Sequence, residues 1–259
     1  MPMKQTTALL GLRAGLFIGV LGAWWWLTAS EILPPFFFGE PVKVALQLYD
    51  WFASGSVFIH LGVTLLETFL ALLIGSVAGA GMGLWLALSR LPARLLDPYI
   101  KAANAMPRVV LAPIFAVWFG LGMASKVALG FTLVFFVVFF NVYQGVREVD
   151  PRLLANTRML GASQRQLMRH VYLPSAAGWL FSSMHNAVGM AFVGAVVGEY
   201  LGSAQGMGYL ILQAEGAFDI NAVIAGIVVL TGCALGLDSL VGRAERRVLH
   251  WHPSAKSRA

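Results

Sequence analysis

From Leu61 to Leu88 the chain runs 28 residues with a single charged side chain, Glu67. A helix of that length rises about 42 Å, against about 30 Å for the hydrocarbon core of a bilayer. Such a segment spans a membrane and must tilt or protrude. Gly75, Gly79 and Gly83 recur every fourth residue within it. One face of the helix therefore lacks side chains, and a second helix can approach it closely. That pattern predicts packing and carries no chemistry of its own.

Further apolar runs follow the same logic. Ala14–Ala29 ends in Trp24, Trp25 and Trp26, and Val109–Ala124 is short, with Pro113 inside it and Gly120 and Gly122 near its end. Val127–Tyr143, Ala176–Val197 and Ile220–Leu237 complete the set. The first run has the layout of a secretory signal, with small residues at Thr28, Ala29 and Ser30. Its three tryptophans fit an interfacial belt better. Val109–Ala124 reads as a short or kinked span. Gly194, Gly198 and Gly202 repeat the small-residue spacing. Between the first two spans, residues 31–60 form a loop whose stretch near Val42–Phe52 suits an amphipathic surface helix. Only 12% of residues are charged and 58% are hydrophobic, where a soluble domain carries about 25% charge. The expected fold class is an all-α membrane protein with six transmembrane helices.

Six spans place both termini on one side, and the basic residues test which side. With the termini inside, sixteen of the eighteen Lys and Arg residues face the cytoplasm, and only Lys43 and Lys126 fall outside. Cytoplasmic loops carry such an excess. The bias also accounts for a net charge of +6 without nucleic acid. The lone cysteine, Cys233, forbids an intramolecular disulfide.

The longest polar stretch between two spans is Asp150–Pro174. Asp150 is placed to cap a short helix with Pro151 at its first position, and Gly161 to end it in a left-handed residue. Ser163 and Gln166 have the spacing of a capping box for a second helix, and Pro174 closes the segment. Leu160, Leu167, Met168 and Val171 make an apolar stripe, and Arg152, Arg158, Arg165 and Arg169 a basic face. In a soluble protein this would suggest a DNA-reading pair of helices. The flanking spans argue instead for a loop held at a membrane surface, either simply solvated or docking a soluble partner.

Gly161, nine residues, Val171, one residue, then Leu173-Pro174 resembles the cytoplasmic signature of bacterial ABC importer permeases. That signature begins Glu-Ala-Ala, where this chain has Ala155-Asn156-Thr157, so its acidic residue is missing. The phrases VDPRLLANTRMLGAS, VWFGLGMASK and GEYLGSAQGMGYLI resemble the nitrate/sulfonate/taurine branch, over roughly residues 34–247.

The resemblance implies a type I ABC importer permease fold in the bacterial inner membrane, as a single transmembrane domain over residues 1–259. Residues 1–60 would hold the first span and a periplasmic loop, and 61–247 the core with its coupling loop 150–174. It implies two copies of a separate ABC ATPase, a periplasmic substrate-binding protein and a second copy of the chain as partners. A cytoplasmic coupling helix would contact the ATPase through Thr157, Arg158, Leu160, Gly161, Ala162, Ser163, Arg165, Gln166 and Leu167, with Val171, Leu173 and Pro174 carried over from the signature. Leu160 and Leu167 would seat in an apolar groove. GEYLGSAQGMGYLI would be an outer gate loop, holding Glu199, Gly202, Gly206 and Gly208. Relatives carry nitrate, sulfonates, taurine or other small organic anions, and some carry vitamin precursors.

Glu67, His185 and Asn186 lie inside spans, where polar groups are costly and mark pathways or inter-helix bonds. They are the candidates for the translocation path, with structural pairing as the alternative. No Lys or Arg is expected centrally in any span after the first. No Gly-Lys pair occurs, so the chain has no Walker-type phosphate loop. No His-Glu-x-x-His occurs either, and no catalytic residue, metal site or cofactor is expected. The rival reading is a self-sufficient secondary transporter or channel, which calls for internal repeats or mid-membrane carboxylates.

Overall fold

A computed structural model describes residues 3–248. Lys256 and Arg258 of the basic tail lie outside the described residues, as do the side chains of Lys4, Arg246 and Arg247. The described chain is helical throughout. Its long elements are α1 (Met3–Ala29), α4 (Ser56–Leu88), α7 (Met123–Arg147), α10 (Leu173–Leu201) and α12 (Ile220–Val248). Shorter helices join them: α2 (Pro35–Phe38), α3 (Pro41–Ser54), α5 (Arg90–Ala105), α6 (Ala112–Phe119), α8 (Pro151–Met159), α9 (Gln164–Leu167) and α11 (Met207–Gly216).

The core is α7 packed between α4 and α10, and glycines set the spacing. A Cβ on Gly79 would stand 2.6 Å from the Phe135 carbonyl oxygen, and one on Gly83 would stand 2.8 Å from that of Phe139. A Cβ on Gly75 would stand 2.7 Å from the Val134 Cβ and 3.3 Å from the Phe131 carbonyl oxygen. On the other face of α7, a Cβ on Gly194 would lie 2.4 Å from the Cα of Gly130. At these points backbone lies on backbone, which any larger residue would prevent. Ala71, Val134, Val138, Val142, Ala187 and Ala191 fill the remaining space.

The pairings also give direction. Gly75, Gly79 and Gly83 meet α7 in ascending order, so α4 and α7 run parallel. Gly194 and Gly198 meet Gly130 and Lys126 in descending order, so α10 runs antiparallel to α7. Two parallel neighbours require residues 89–122 to carry the chain back across. The expected kink in the third span is present, but the bounds of the span differ from Val109–Ala124. Val109–Ala124 is not one helix: a 3₁₀ turn at Arg108–Leu111 leads into the eight-residue α6. At 1.5 Å per residue α6 is about 12 Å long, too short to cross alone. The return is made by α5 and the Arg108–Phe119 piece, bent by 86°. Pro107 starts the turn, Pro113 sits in the first turn of α6, and Gly120 ends it at φ +77°. With that bent pair taken as one, six segments are long and apolar enough to cross a membrane.

The expected surface helix is α3, set against α4 and α12. Its approach is stapled by the Glu40 N–H, which donates to Asn221 Oδ1 at 2.8 Å. The cap at Ser163 forms as expected, but Pro174 does not close that segment. Residues 164–201 are one continuous rod, interrupted by a π turn at Met168–Tyr172 where Leu173 N–H reaches back to the Met168 carbonyl. Pro174 lies in the first turn of α10 and lacks the N–H that an α-helix would need there. The wider turn absorbs that missing bond.

Replacing Gly79 with Leu drives a side chain into the α7 backbone and destabilises the fold by roughly 3 kcal/mol. A Cβ at Gly81 on the same helix meets nothing within 4 Å, so Gly81→Leu is expected to leave the thermal midpoint in detergent unchanged.

Candidate functional site

Three groupings of polar residues stand out, one at each end of the core and one midway. The first, at one end, gathers α4, α7, α10 and the start of α11. Glu199 is fully buried at the end of α10. Its Oε1 accepts from the Thr64 hydroxyl at 2.6 Å, and its Oε2 accepts from the Gly208 N–H at 2.8 Å. Thr64 Oγ1 in turn accepts the Met207 N–H at 2.9 Å, and His60 Nδ1 accepts the Gly206 N–H at 3.1 Å. Three successive donors at the start of α11, which have no partner inside their own helix, are thus held by α4 and α10. Gly206 is required for this seat: its φ is +111°, and a Cβ would stand 2.2 Å from the Glu199 carboxyl carbon.

Lys126 closes the grouping. It is 1% exposed and donates to the carbonyls of Leu121 and Gly202, the latter at 2.6 Å. It faces the carboxylates of Glu67 and Glu199. Glu67 is 2% exposed and in hydrogen-bond contact with Glu199, while its Oε2 is buried without a partner. Lys126 was expected in an outer loop, and the structure instead buries it in the first turn of α7. One cation between two acids is a pairing that sequence spacing does not reveal. Glu67 and Lys126 are far apart in the chain, and Lys126 follows a glycine-rich stretch that reads as solvated.

The three residues expected along a path are separated. Glu67 belongs to the grouping around Glu199 and Lys126. His185 Nδ1 pairs with Asp238 Oδ1 at 2.6 Å, tying α10 to α12. Asn186 is exposed on the surface of this chain.

The middle grouping was not foreseen. Arg108, expected in a cytoplasmic loop, stands where the bent return segment passes α7. Its guanidinium lies over the Phe136 ring, 4.5 Å from the centroid, and Phe136 is midway along α7. Arg108 Nη2 donates to the carbonyl of Asn104 at 3.1 Å and to its side-chain oxygen. The Nε of Arg108 is buried with no partner. The expectation that no cation lies centrally after the first span therefore fails. The cause is the broken helix, which carries a residue flanking the apolar run to the middle of the core.

At the opposite end of the core, Asp150 Oδ1 caps α8 by accepting from Arg152 N at 2.8 Å. Gly161 turns the chain at φ +84°, and Ser163 and Gln166 form both bonds of a capping box. Thr157, Leu160, Gly161, Ala162, Gln166, Leu167, His170 and Val171 line an open cleft of about 260 Å³. The apolar stripe splits between two environments. Leu167 is 2% exposed and packs inside this chain, whereas Met159 and Leu160 are 86% and 87% exposed. Leu167 is therefore not free to seat in a partner's groove, and the exposed apolar neighbour of Leu160 is Met159. Arg158 and Arg165 flank the turn, exposed. Among the described residues no cluster of His, Cys, Asp and Glu could hold a metal ion.

Removing the Glu199 carboxylate leaves the Gly208 N–H without its acceptor and takes one of two acids from Lys126, a loss of about 3 kcal/mol. Glu199→Ala is expected to lower the thermal midpoint and to open residues 202–206 to protease. Glu199→Gln, which keeps an acceptor, is expected to lose less in both measurements.

The family described as "Binding-protein-dependent transport system inner membrane component" matches residues 71–250. The chain is 31% identical over 237 residues to a putative aliphatic sulfonates transport permease protein, SsuC, of Bacillus subtilis, covering 92% of this chain and 83% of that one. It is 27% identical over 254 residues to the taurine transport system permease protein TauC of Escherichia coli, covering 96% and 91%. In fold it is similar to an inward-facing structure of the MetNI methionine ABC transporter, with a TM-score of 0.63 at 20% identity over 72% of this chain and 93% of that one. The matched relatives are permease components and not enzymes. The chain is a multi-pass inner-membrane protein belonging to the binding-protein-dependent transport family, with the type I ABC importer permease fold.

Proposed function

We propose that this chain is the translocating subunit of an importer for a small organic or inorganic anion, of the sulfonate, taurine or nitrate kind. It works as a homodimer with two copies of a separate ATPase and a periplasmic binding protein, with both termini in the cytoplasm. The solute class is supported by the relatives, which are named for aliphatic sulfonates and taurine. The orientation is supported by the excess of Lys and Arg at one end.

One observation carries the mechanism: the capped turn between α8 and α9 offers an exposed apolar tip, Met159 and Leu160, between exposed arginines, and continues without a break into α10. A tip of this kind suits the groove of a soluble partner. When paired ATPases close on ATP, the tip moves with them, and the rod moves with the tip. Shifting packed helices is how such a displacement reaches the far side of the membrane. The contact runs from Thr157 to Gln166, with the absent Glu of the family signature left to neighbouring polar groups. The chain itself supplies no phosphate-binding loop, so the fuel is the partner's.

The test is uptake by the assembled importer in liposomes, alongside its ATP hydrolysis. Gly161→Asp strains a residue at φ +84° and sets an acid at the docking tip. It is expected to uncouple the two, so that the solute carried per ATP hydrolysed falls about tenfold, the equivalent of about 1.4 kcal/mol of lost coupling. Wild-type uptake by this variant would show that the tip transmits nothing.

A further inference from the structure

The mechanism above leaves Arg108 without a task. We infer that Arg108 is an anion-holding residue midway along the passage, with the Phe136 ring as its back wall. The inference rests on the reading of the chain as an anion importer and adds to it the place where the anion is met.

Depth is the first ground. Phe136 stands midway along α7, and the guanidinium is 4.5 Å from its centroid. A charge at that level is costly in hydrocarbon, and such residues face a protein interior or a water-filled path. The second ground is unused hydrogen-bonding capacity. Arginine has five N–H donors in a fixed fork. Here Nη2 is spent on Asn104 and Nε is enclosed without a partner, so the donors on Nη1 are the ones left for a ligand. No carboxylate pairs with Arg108 among the described residues, so its charge is available to a ligand. A sulfonate, nitrate or carboxylate oxygen pair suits that fork, because planar bidentate recognition of oxyanions is what arginine does best.

The third ground is how the residue is held. Phe136 supports the cation from one face and touches Phe140 at 6.3 Å between centroids. Asn104 grips the guanidinium from the end of α5. Arg108 itself begins the turn at the 86° bend, where backbone is not buried inside one long helix. Irregular backbone at membrane depth is tolerated where it is buried in protein or lines a water-filled cavity. An arginine fixed on both sides at a break in a span is positioned for a passing anion.

The bland alternative is that Arg108 only caps the end of α5 through the Asn104 carbonyl. The two readings separate in the complete importer, assembled with its ATPase and binding protein in liposomes, using radiolabelled ethanesulfonate, taurine and nitrate as probes. Expected for Arg108→Gln is about a tenfold fall in the amount of accepted probe carried per ATP hydrolysed, as befits loss of a charge-assisted bond. Arg108→Lys keeps a cation at the same place and is expected to retain part of that ratio. Phe136→Leu is expected to fall between the two. The inference is overturned if Arg108→Gln carries the probe as wild type does. It is also overturned if Lys is as poor as Gln, or if the Gln complex no longer assembles while Lys restores assembly but not carriage. If the wild-type complex carries none of the three anions but carries a neutral solute, the anion reading of the importer falls first and this inference with it.

Discussion

Close approach of helix backbones governs this protein. In lipid there is little hydrophobic drive between helices, so association depends on fit. Gly75, Gly79 and Gly83 on one side of α7, and Gly130 with Gly194 on the other, let three helices meet without intervening side chains. Everything else is hung on that triple. Because α4 and α7 are held parallel, the chain between them must return across the membrane, and it does so through a bent segment. Because α10 is held antiparallel, its end meets the beginnings of α4's buried face and of α7. The polar grouping of Glu67, Lys126 and Glu199 forms where those ends converge.

That grouping shows how a membrane core tolerates charge. Lys126 and Glu199 are both almost fully enclosed, a situation that is costly unless each is paired and hydrogen-bonded. Here the partners are the free donors and acceptors that helix ends leave over. Glu199 and Thr64 take up the N–H groups at the start of α11, and Lys126 takes up the carbonyls of Leu121 and Gly202. The helix termini and the side chains each solve the other's problem. The glycines of the 198–211 stretch are then packing requirements, since a side chain at Gly206 or Gly208 would collide with Glu199 or with the Val196 carbonyl.

What the sequence disclosed follows a physical division. Spans, small-residue faces and helix caps depend on residues within one or two turns of each other, so Gly79, Asp150, Ser163 and Gln166 were legible. Side chains that meet only after folding were not. Lys126 reads as a loop cation until α4 and α10 are placed around it, and Arg108 reads as cytoplasmic until the return segment is seen to bend. Leu167 and Leu160 share a stripe in sequence, yet the turn at Gly161 sends one into the core and leaves the other outside. Pro174 reads as a stop, because the π turn that lets a helix pass through it has no sequence signal of its own.

The continuous helical rod from Gln164 to Leu201, with its one π turn, has a thermodynamic consequence. About 38 residues of helix extend some 57 Å, and Glu199 sits in its last turn while the capped tip sits just before its first. Whatever engages one end therefore does work against the other. On the proposed coupling, reciprocity requires that a ligand preferring one position of the rod at one end alter affinity at the other end by the same factor. A single helical element would then let the two ends of the core read each other's occupancy.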